Sequence, residues 1–377
     1  MARTGPGHFD TVIIGSGQAG LAVGYHLVEQ QRSVVILDAG ERIGDTWRSR
    51  WDSLRVFTPA RYDGLPGWSF PAPGWSYPTK NEVADYLETY AAQFRLPVRT
   101  GIRVDGLSRE NGGYVVTSGL QRYDADNVVV ATGGYQAPRI PEFAAELDPG
   151  IVQLHSSEYR NPSQLRDGGA LVVGAGNSGA EIALEAAAEH QTWLSGRDTG
   201  QEPVRAGGLL DRLLTPPFWF MLSHVLTVRT PIGRRARQQL SGRGLPLARV
   251  RRKDLLRAGV ERVPRLTGVR DGLPVTANGD VLDVATVIWC TGFVPDFRWI
   301  DLPVFDAGGE PRHDRGVVRS APGLYFIGLF FLSAGSSSLI GGVGRDARHI
   351  AKQLASRHAQ DGRAAPQAAR TREQAPD

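Results

Sequence analysis

The apolar positions fall into short runs punctuated by glycine, and this pattern occurs twice. Phe9–Ile14 predicts a buried strand and leads into the glycine loop Gly15 to Gly20. A helix to about Gln31 and a strand over Val34–Leu37 complete a β-α-β unit. The pattern restarts near residue 169, with a strand over Ala170–Val173, a loop from Gly174 to Gly179, a helix over Ala180–His190 and a strand over Thr192–Leu194. Each copy is followed by a later strand ending in Thr-Gly. Asn127–Ala131 runs into Thr132 and Gly133, and Ala285–Cys290 runs into Thr291 and Gly292.

The remaining segments are less regular. Residues 40–78 are rich in Gly, Pro, Trp and Tyr without clear periodicity, which predicts a packed or ligand-facing loop. Thr79 and Glu82 have the spacing of a capping box, and Val83, Tyr86, Leu87, Tyr90 and Phe94 recur on one helical face. Residues 200–260 read as Arg-rich helices broken by proline. Leu324–Ile327 is a last strand, followed by a Gly/Ser loop and a helix from about Val343 to Arg357. Residues 1–8 and the polar tail after Gln360 are expected to be disordered.

Length and composition narrow the classes. A chain of 377 residues, 41% hydrophobic and 22% charged, builds two or three globular domains. The net charge is +4, carried mostly by arginine. Arg234–Arg237 and Arg249–Arg252 raise nucleic acid as a partner, but they lack interleaved aromatics, so a solvated surface is the expected reading. A single cysteine, Cys290, excludes an intramolecular disulfide and a thiolate zinc site; no metal site is expected, and a cytoplasmic location is. The longest apolar patch, near Pro217–Val228, is interrupted by Ser223 and His224 and is too short to span a bilayer, so no stable membrane insertion is expected.

The two loops carry the candidate chemistry. Gly15, Gly17 and Gly20, with Gln18 and Ala19 between them, form one G-x-G-x-x-G; Gly174, Gly176 and Gly179, with Asn177 and Ser178, form the other. Between strand and helix, the first glycine allows the tight turn, the second lets a pyrophosphate approach, and the third lets helix pack on strand. The helix N-terminus offers free N–H groups to the phosphates. The residues at one matching offset discriminate the ligands. Gly15 leads to Asp38, followed by Ala39, and Gly174 leads to Arg197, with Ser195 nearby. A carboxylate accepts ribose hydroxyls and repels a 2′-phosphate; a guanidinium and a hydroxyl do the opposite. FAD is therefore assigned to the first loop and NADPH to the second, with NADH use left open.

Taken together, several segments resemble the flavin-containing monooxygenase family over roughly residues 9–357, in a bacterial branch similar to the plant indole-pyruvate monooxygenases. They are the first loop with Gln18, Gly44-Asp45-Thr46-Trp47, Trp51 to Arg55, Tyr77 to Lys80, the second loop with Asn177 and Ser178, Cys290 to Phe293, and Gly335–Asp346. The resemblance implies an α/β fold with two Rossmann-like dinucleotide-binding domains, the NADPH domain inserted into the FAD domain. The expected limits are 9–155 and 285–357 for FAD, 156–284 for NADPH, and a tail over 358–377. The resemblance also implies that NADPH reduces FAD, and that O2 then forms a C4a-hydroperoxide that oxygenates a small organic substrate at nitrogen, sulfur or an activated carbon. An NADPH oxidase, another two-nucleotide flavin reductase without oxygenation, and a nucleotide-binding protein without turnover remain alternatives. A disulfide reductase is excluded, because it needs a cysteine pair.

Further candidates follow from the resemblance. His155 and Tyr159 match the second half of the family fingerprint, while Pro149 and Ile151 stand at its Phe and Gly positions. His155, with Thr58, is a catalytic candidate, expected to position NADPH or relay domain motion, or else to be a hydrogen-bonded structural histidine at a hinge. Where relatives place an asparagine near the flavin this chain has Leu54 to Pro59, and Thr58 is the candidate hydroxyl. Gly44, Thr46, Trp47, Thr132, Gly133, Thr291, Gly292, Gly328 and Ser338 are expected cofactor neighbours. Trp219 and the aromatics around it are read as core, substrate tunnel or weak membrane contact, in that order. The oligomeric state is open, a homodimer being one alternative.

Overall fold

Parallel strands covered on both faces leave no alternating pattern, which is why both repeats read as unbroken apolar runs. The computed structural model describes residues 7–202, 206–240 and 245–373. β1 (His8–Ile14), α1 (Gln18–Glu29) and β2 (Val34–Leu37) form the first β-α-β unit. α2 (Asp45–Arg48) and α3 (Lys80–Gln93) follow, then β3 (Val98–Arg99), β4 (Gly106–Glu110), β5 (Gly113–Ser118) and β6 (Gln121–Val130). The chain crosses over through β7 (Ala137–Pro138) to β8 (Val152–His155), β9 (Ala170–Val173), α4 (Asn177–Ala186) and β10 (Thr192–Ser195). Next come α5 (Leu209–Phe220), α6 (Pro231–Leu240), α7 (Arg252–Arg257), β11 (Glu261–Val263), and the hairpin β12 (Leu266–Arg270) with β13 (Leu273–Thr276). β14 (Thr286–Trp289), β15 (Phe293–Val294), β16 (Leu324–Phe326) and α8 (Val343–Glu373) complete the chain.

The first sheet runs β3-β2-β1-β6-β5-β4, with β16 also paired to β6. β1 is parallel to both neighbours, with Thr11 opposite Val34 and Asn127. β6 is shared: its first half pairs antiparallel with β5, and Val128–Val130 pairs parallel with β16. The second sheet, β11-β10-β9-β14-β8, is parallel throughout. β7 and β15, one on each crossing between the sheets, pair antiparallel with Phe293 opposite Pro138. Both glycine loops therefore open at the carboxyl ends of central parallel strands, where ligands bind in open α/β sheets.

Helices α1, α3 and α8 cover one face of the first sheet, burying Ile13, Leu21, Tyr86, Tyr90 and Leu354. Each such side chain contributes about 1.5–3 kcal/mol of burial. The capping box holds as expected: Thr79 Oγ1 accepts from the Glu82 amide at 3.2 Å, and Glu82 Oε2 accepts from the Thr79 amide at 2.7 Å. Trp51, which follows α2, is buried not in the first core but among Tyr159, Ile182, Leu194 and Leu247 of the second. The same loop therefore belongs to one domain by sequence and to the other by packing.

β8 and β14 both pair within the second sheet. An isolated buried strand carries no mark of which sheet it joins. Helix α8 does not stop at Arg357 but runs to Glu373. The strand expected from Phe9 begins at His8. Residues 1–6 and 374–377 lie outside the described residues.

Candidate functional site

Each glycine of the two loops has a different steric reason. Gly15 sits at φ +108°, and a Cβ there would come within 2.7 Å of the Ala131 carbonyl oxygen. Gly174, at φ +112°, would collide with the Cys290 carbonyl. Those carbonyls precede Thr132 and Thr291, so the two Thr-Gly strand ends serve as backbone packing partners of the loops. Cβ atoms at Gly20 and Gly179 would strike the carbonyls of Gly15 and Gly174, closing helix onto strand. Gly17 and Gly176 differ: nothing lies within 4 Å of a Cβ built on either. Their backbones are extended, with φ −67° and −81°, which any residue adopts. Protein packing therefore does not explain these two glycines; an open cradle at a helix N-terminus, of the kind that takes a pyrophosphate, does.

Around the first cradle, the Asp38 carboxylate caps the loop. Its Oδ2 accepts from the Ser16 amide at 2.5 Å and its Oδ1 from the Gly40 amide at 2.8 Å. This fixes the carboxylate at the strand end, with Ala39 exposed beside it. Gln18 is half-buried, and Ala19 lies against Gly328, whose own Cβ would sit 3.1 Å from it. Gly44, at φ +90°, caps α2 and passes so close to Ala84 that a side chain has no room. Trp47 packs against the first core, and the Thr46 carbonyl accepts from Arg50 Nε at 3.2 Å. Gln136 donates to Thr132 Oγ1 and to the Gly133 carbonyl, both at 2.7 Å, and its oxygen accepts from the Asp296 amide at 2.8 Å, stapling the two crossings together. The closing stretch approaches from the far side. Gly341 is pressed against the Tyr62 carbonyl, and half-buried Ser338 precedes it. Asp346, in the first turn of α8, is buried and accepts from Ser333.

Around the second cradle lies a cavity of about 420 Å³, lined by Gly174, Ser195, Arg197, Thr199, Arg265 and Thr291 among others. Arg197 meets it from the end of β10, as the offset from Gly174 suggests. Ser195 is fully buried and donates its hydroxyl to the Pro264 carbonyl at 2.8 Å, so it does not face a ligand as a donor. It pins the segment that presents Arg265, a second guanidinium that sequence reasoning missed. Arg265 follows β11 and has no counterpart offset in the first repeat. Asn177 is a latch: it donates to the Pro246 carbonyl at 3.1 Å and accepts from the Ala248 amide at 2.8 Å. Ser178 is half-buried at the start of α4. Thr291 donates to the Arg139 carbonyl, again across the crossing.

His155 is fully buried. Its Nε2 faces the Gly292 carbonyl at 3.0 Å and its Nδ1 faces Ser157 Oγ at 2.8 Å, with Phe293 edge-on at 4.8 Å. Only a ring with a proton on Nε2 satisfies the carbonyl. Burial lowers its pKa, favouring the neutral ring. Both nitrogens are engaged within the protein, which ties the end of β8 to the crossing at Gly292.

Thr58 donates its hydroxyl to Asp63 Oδ1 at 2.5 Å. Asp63 is fully buried, its other oxygen has no partner among the described residues, and burial pushes its pKa up to about 7 against the pull of the Thr58 bond. Neither residue type nor spacing marks Asp63 in the sequence. A raised carboxyl pKa means that the folded state binds the extra proton between the unfolded value and about 7, so stability falls as pH rises through that window. Asp63→Asn keeps an acceptor for Thr58 but cannot ionise. It is expected to flatten the pH dependence of thermal stability, gaining on the order of 3 kcal/mol relative to the parent between pH 4 and pH 8. Parallel melting curves for the two proteins across that range would contradict this assignment.

Two glycine loops at the ends of parallel strands, with a carboxylate beside one and guanidinium groups beside the other, are the architecture of a two-nucleotide oxidoreductase. The description "Pyridine nucleotide-disulphide oxidoreductase" names the family model that matches residues 12–204. The chain is 40% identical over 348 residues to a CzcO-like oxidoreductase of Geobacillus kaustophilus, itself uncharacterised, covering 92% of this chain and 98% of that one. It is 33% identical over 183 residues to the indole-3-pyruvate monooxygenase YUCCA1 of Oryza sativa subsp. japonica, 46% of this chain and 44% of that one. A flavin-containing monooxygenase from Stenotrophomonas maltophilia superposes with a TM-score of 0.75 at 28% identity, covering 93% and 99%. The chain belongs to the pyridine nucleotide-disulphide oxidoreductase family, in its flavin-dependent monooxygenase branch. Cys290 is the single cysteine, so the chain carries no redox-active cysteine pair.

Proposed function

We propose that this chain is an NADPH-dependent flavin monooxygenase that binds FAD at the first cradle and NADPH at the second, and uses O2 to oxygenate a small organic substrate. The observation that carries the assignment is the pairing of empty space with charge. Gly17 and Gly176 leave equal room for a pyrophosphate, but Asp38 stands at one ribose position and Arg197 with Arg265 at the other. When bound, FAD supplies the hydride acceptor and the oxygen-activating centre. The protein's part is to hold and screen it. The α1 N-terminus and Ser16 loop would hold the phosphates, Asp38 would accept from the ribose, and the amides of the closing stretch with the α8 N-terminus would stabilise negative charge on the bound group. Proposed domain limits follow the crossings: residues 7–131 with 297–373 for FAD, and 140–290 for NADPH. A cytoplasmic location belongs to the same proposal.

Arg197→Ala tests the second cradle. Losing one charge-assisted contact to the 2′-phosphate costs about 2 kcal/mol. The KM for NADPH is expected to rise about 30-fold while that for NADH stays within about twofold. Equal effects on both would remove the 2′-phosphate role. An oxidase without oxygenation is the second reading, favoured by one observation: the Thr58 hydroxyl is committed to Asp63. Hydrogen peroxide formed per NADPH, measured with small amines, thioethers and ketones present, separates the two. Peroxide equal to NADPH consumed with every compound supports the oxidase.

A further inference from the structure

We propose that the outer face of α5, with α6, is a docking surface for an anionic lipid bilayer. The segment over residues 206–240 packs on the first domain from one side only. Tyr77 donates its hydroxyl to Asp211, Trp219 stacks on Tyr62 with ring centroids 4.9 Å apart, and Ser223 donates to Ser336 at 3.1 Å. The other side is apolar and open. Leu209, Leu210 and Leu213 are 87%, 63% and 68% exposed, and Leu214, Phe218, Phe220 and Met221 are exposed with them. At 100° per residue, Leu209, Leu210, Leu213, Leu214 and Phe220 fall within an arc of about 140°. Ile232 extends the patch onto α6 at 61% exposure. A contiguous apolar face of this kind marks an interaction site.

Charge selects the occupant. Among the arginines of residues 206–240, Arg212, Arg229, Arg234 and Arg235 are exposed, and Arg234 donates to the neutral Val228 and Arg229 carbonyls. Asp211 is the single carboxylate of the segment, and it is buried, accepting from Tyr77, from the Gly207 amide at 2.8 Å and from Thr215 at 2.5 Å. A second copy docked two-fold on this face would gather both sets of arginines into one seam with no exposed carboxylate from the segment to pair them. An anionic headgroup layer pairs them, while the leucines and phenylalanines enter the acyl boundary, as interfacial helices do. No helix among the described residues is long and apolar enough to cross a membrane, so the contact is peripheral.

Vesicle sedimentation of the flavin-loaded full chain tests this. Binding is expected to phosphatidylcholine vesicles containing one part in about three of phosphatidylglycerol, and not to pure phosphatidylcholine; high salt should weaken it at least about tenfold. The double variant Leu210→Ser with Leu213→Ser, and separately Arg234→Ser with Arg235→Ser, should each lose most binding while the rate of NADPH oxidation is retained. Binding to neither vesicle, or equally to both, would overturn the proposal. So would a parent dimer that the leucine variant converts to monomer, which would make the occupant a second copy.

Discussion

Gly17→Val is expected to give a folded, colourless protein. The backbone at Gly17 is already extended and a Cβ there meets no protein atom within 4 Å, so little folding cost is expected. It does fill the space a pyrophosphate needs above the N-terminus of α1. Each charge-assisted amide–phosphate contact contributes about 1.5–3 kcal/mol, so displacing two weakens FAD at least ~10²-fold. Flavin absorbance per chain, with circular dichroism as the folding check, reads the result. Gly20→Ala is the informative contrast: its Cβ meets the Gly15 carbonyl, so that variant loses the fold rather than the ligand alone. Flavin retained at the parent stoichiometry in Gly17→Val would move FAD to another site.

Gly176→Val should produce the converse phenotype, a yellow protein that dithionite bleaches but NADPH does not. The space over Gly176 is as open as that over Gly17 and the local φ is as permissive, so the fold and the first cradle are untouched. The pyrophosphate is common to both pyridine nucleotides. NADPH and NADH should therefore be impaired alike, by ~10²-fold or more in the reduction rate at low nucleotide, whereas Arg197→Ala separates them. Stopped-flow reduction of the two variants side by side distinguishes a lost cradle from a lost charge. A Gly176→Val protein reduced by NADPH at the parent rate would contradict the assignment of the second loop.

The glycine spacing and the offset to Asp38 and Arg197 were legible because they are local: each repeat is written within some twenty-five residues. What lay beyond reach depends on contacts between distant segments. Arg265 lines the same cavity as Arg197 and Ser195, and the Ser195 hydroxyl bonds the preceding Pro264 carbonyl across neighbouring strands. Asp63 takes its raised pKa from burial that no spacing to Thr58 announces. Trp51 belongs to the second core although its chain neighbours belong to the first. The sheet membership of β8 and β14 likewise depends on pairing partners far away in the chain. The contacts of both His155 ring nitrogens, with Ser157 and with Gly292 far along the chain, were likewise not written in its spacing.

The direction of electron flow between the two cradles is the claim on which the other roles depend. Anaerobic titration of the purified full chain with NADPH, followed by the flavin absorption bands, measures it directly. The account predicts bleaching that is complete near one equivalent of NADPH per bound flavin. Bands left unchanged by excess NADPH, in a protein that dithionite still bleaches, would contradict it.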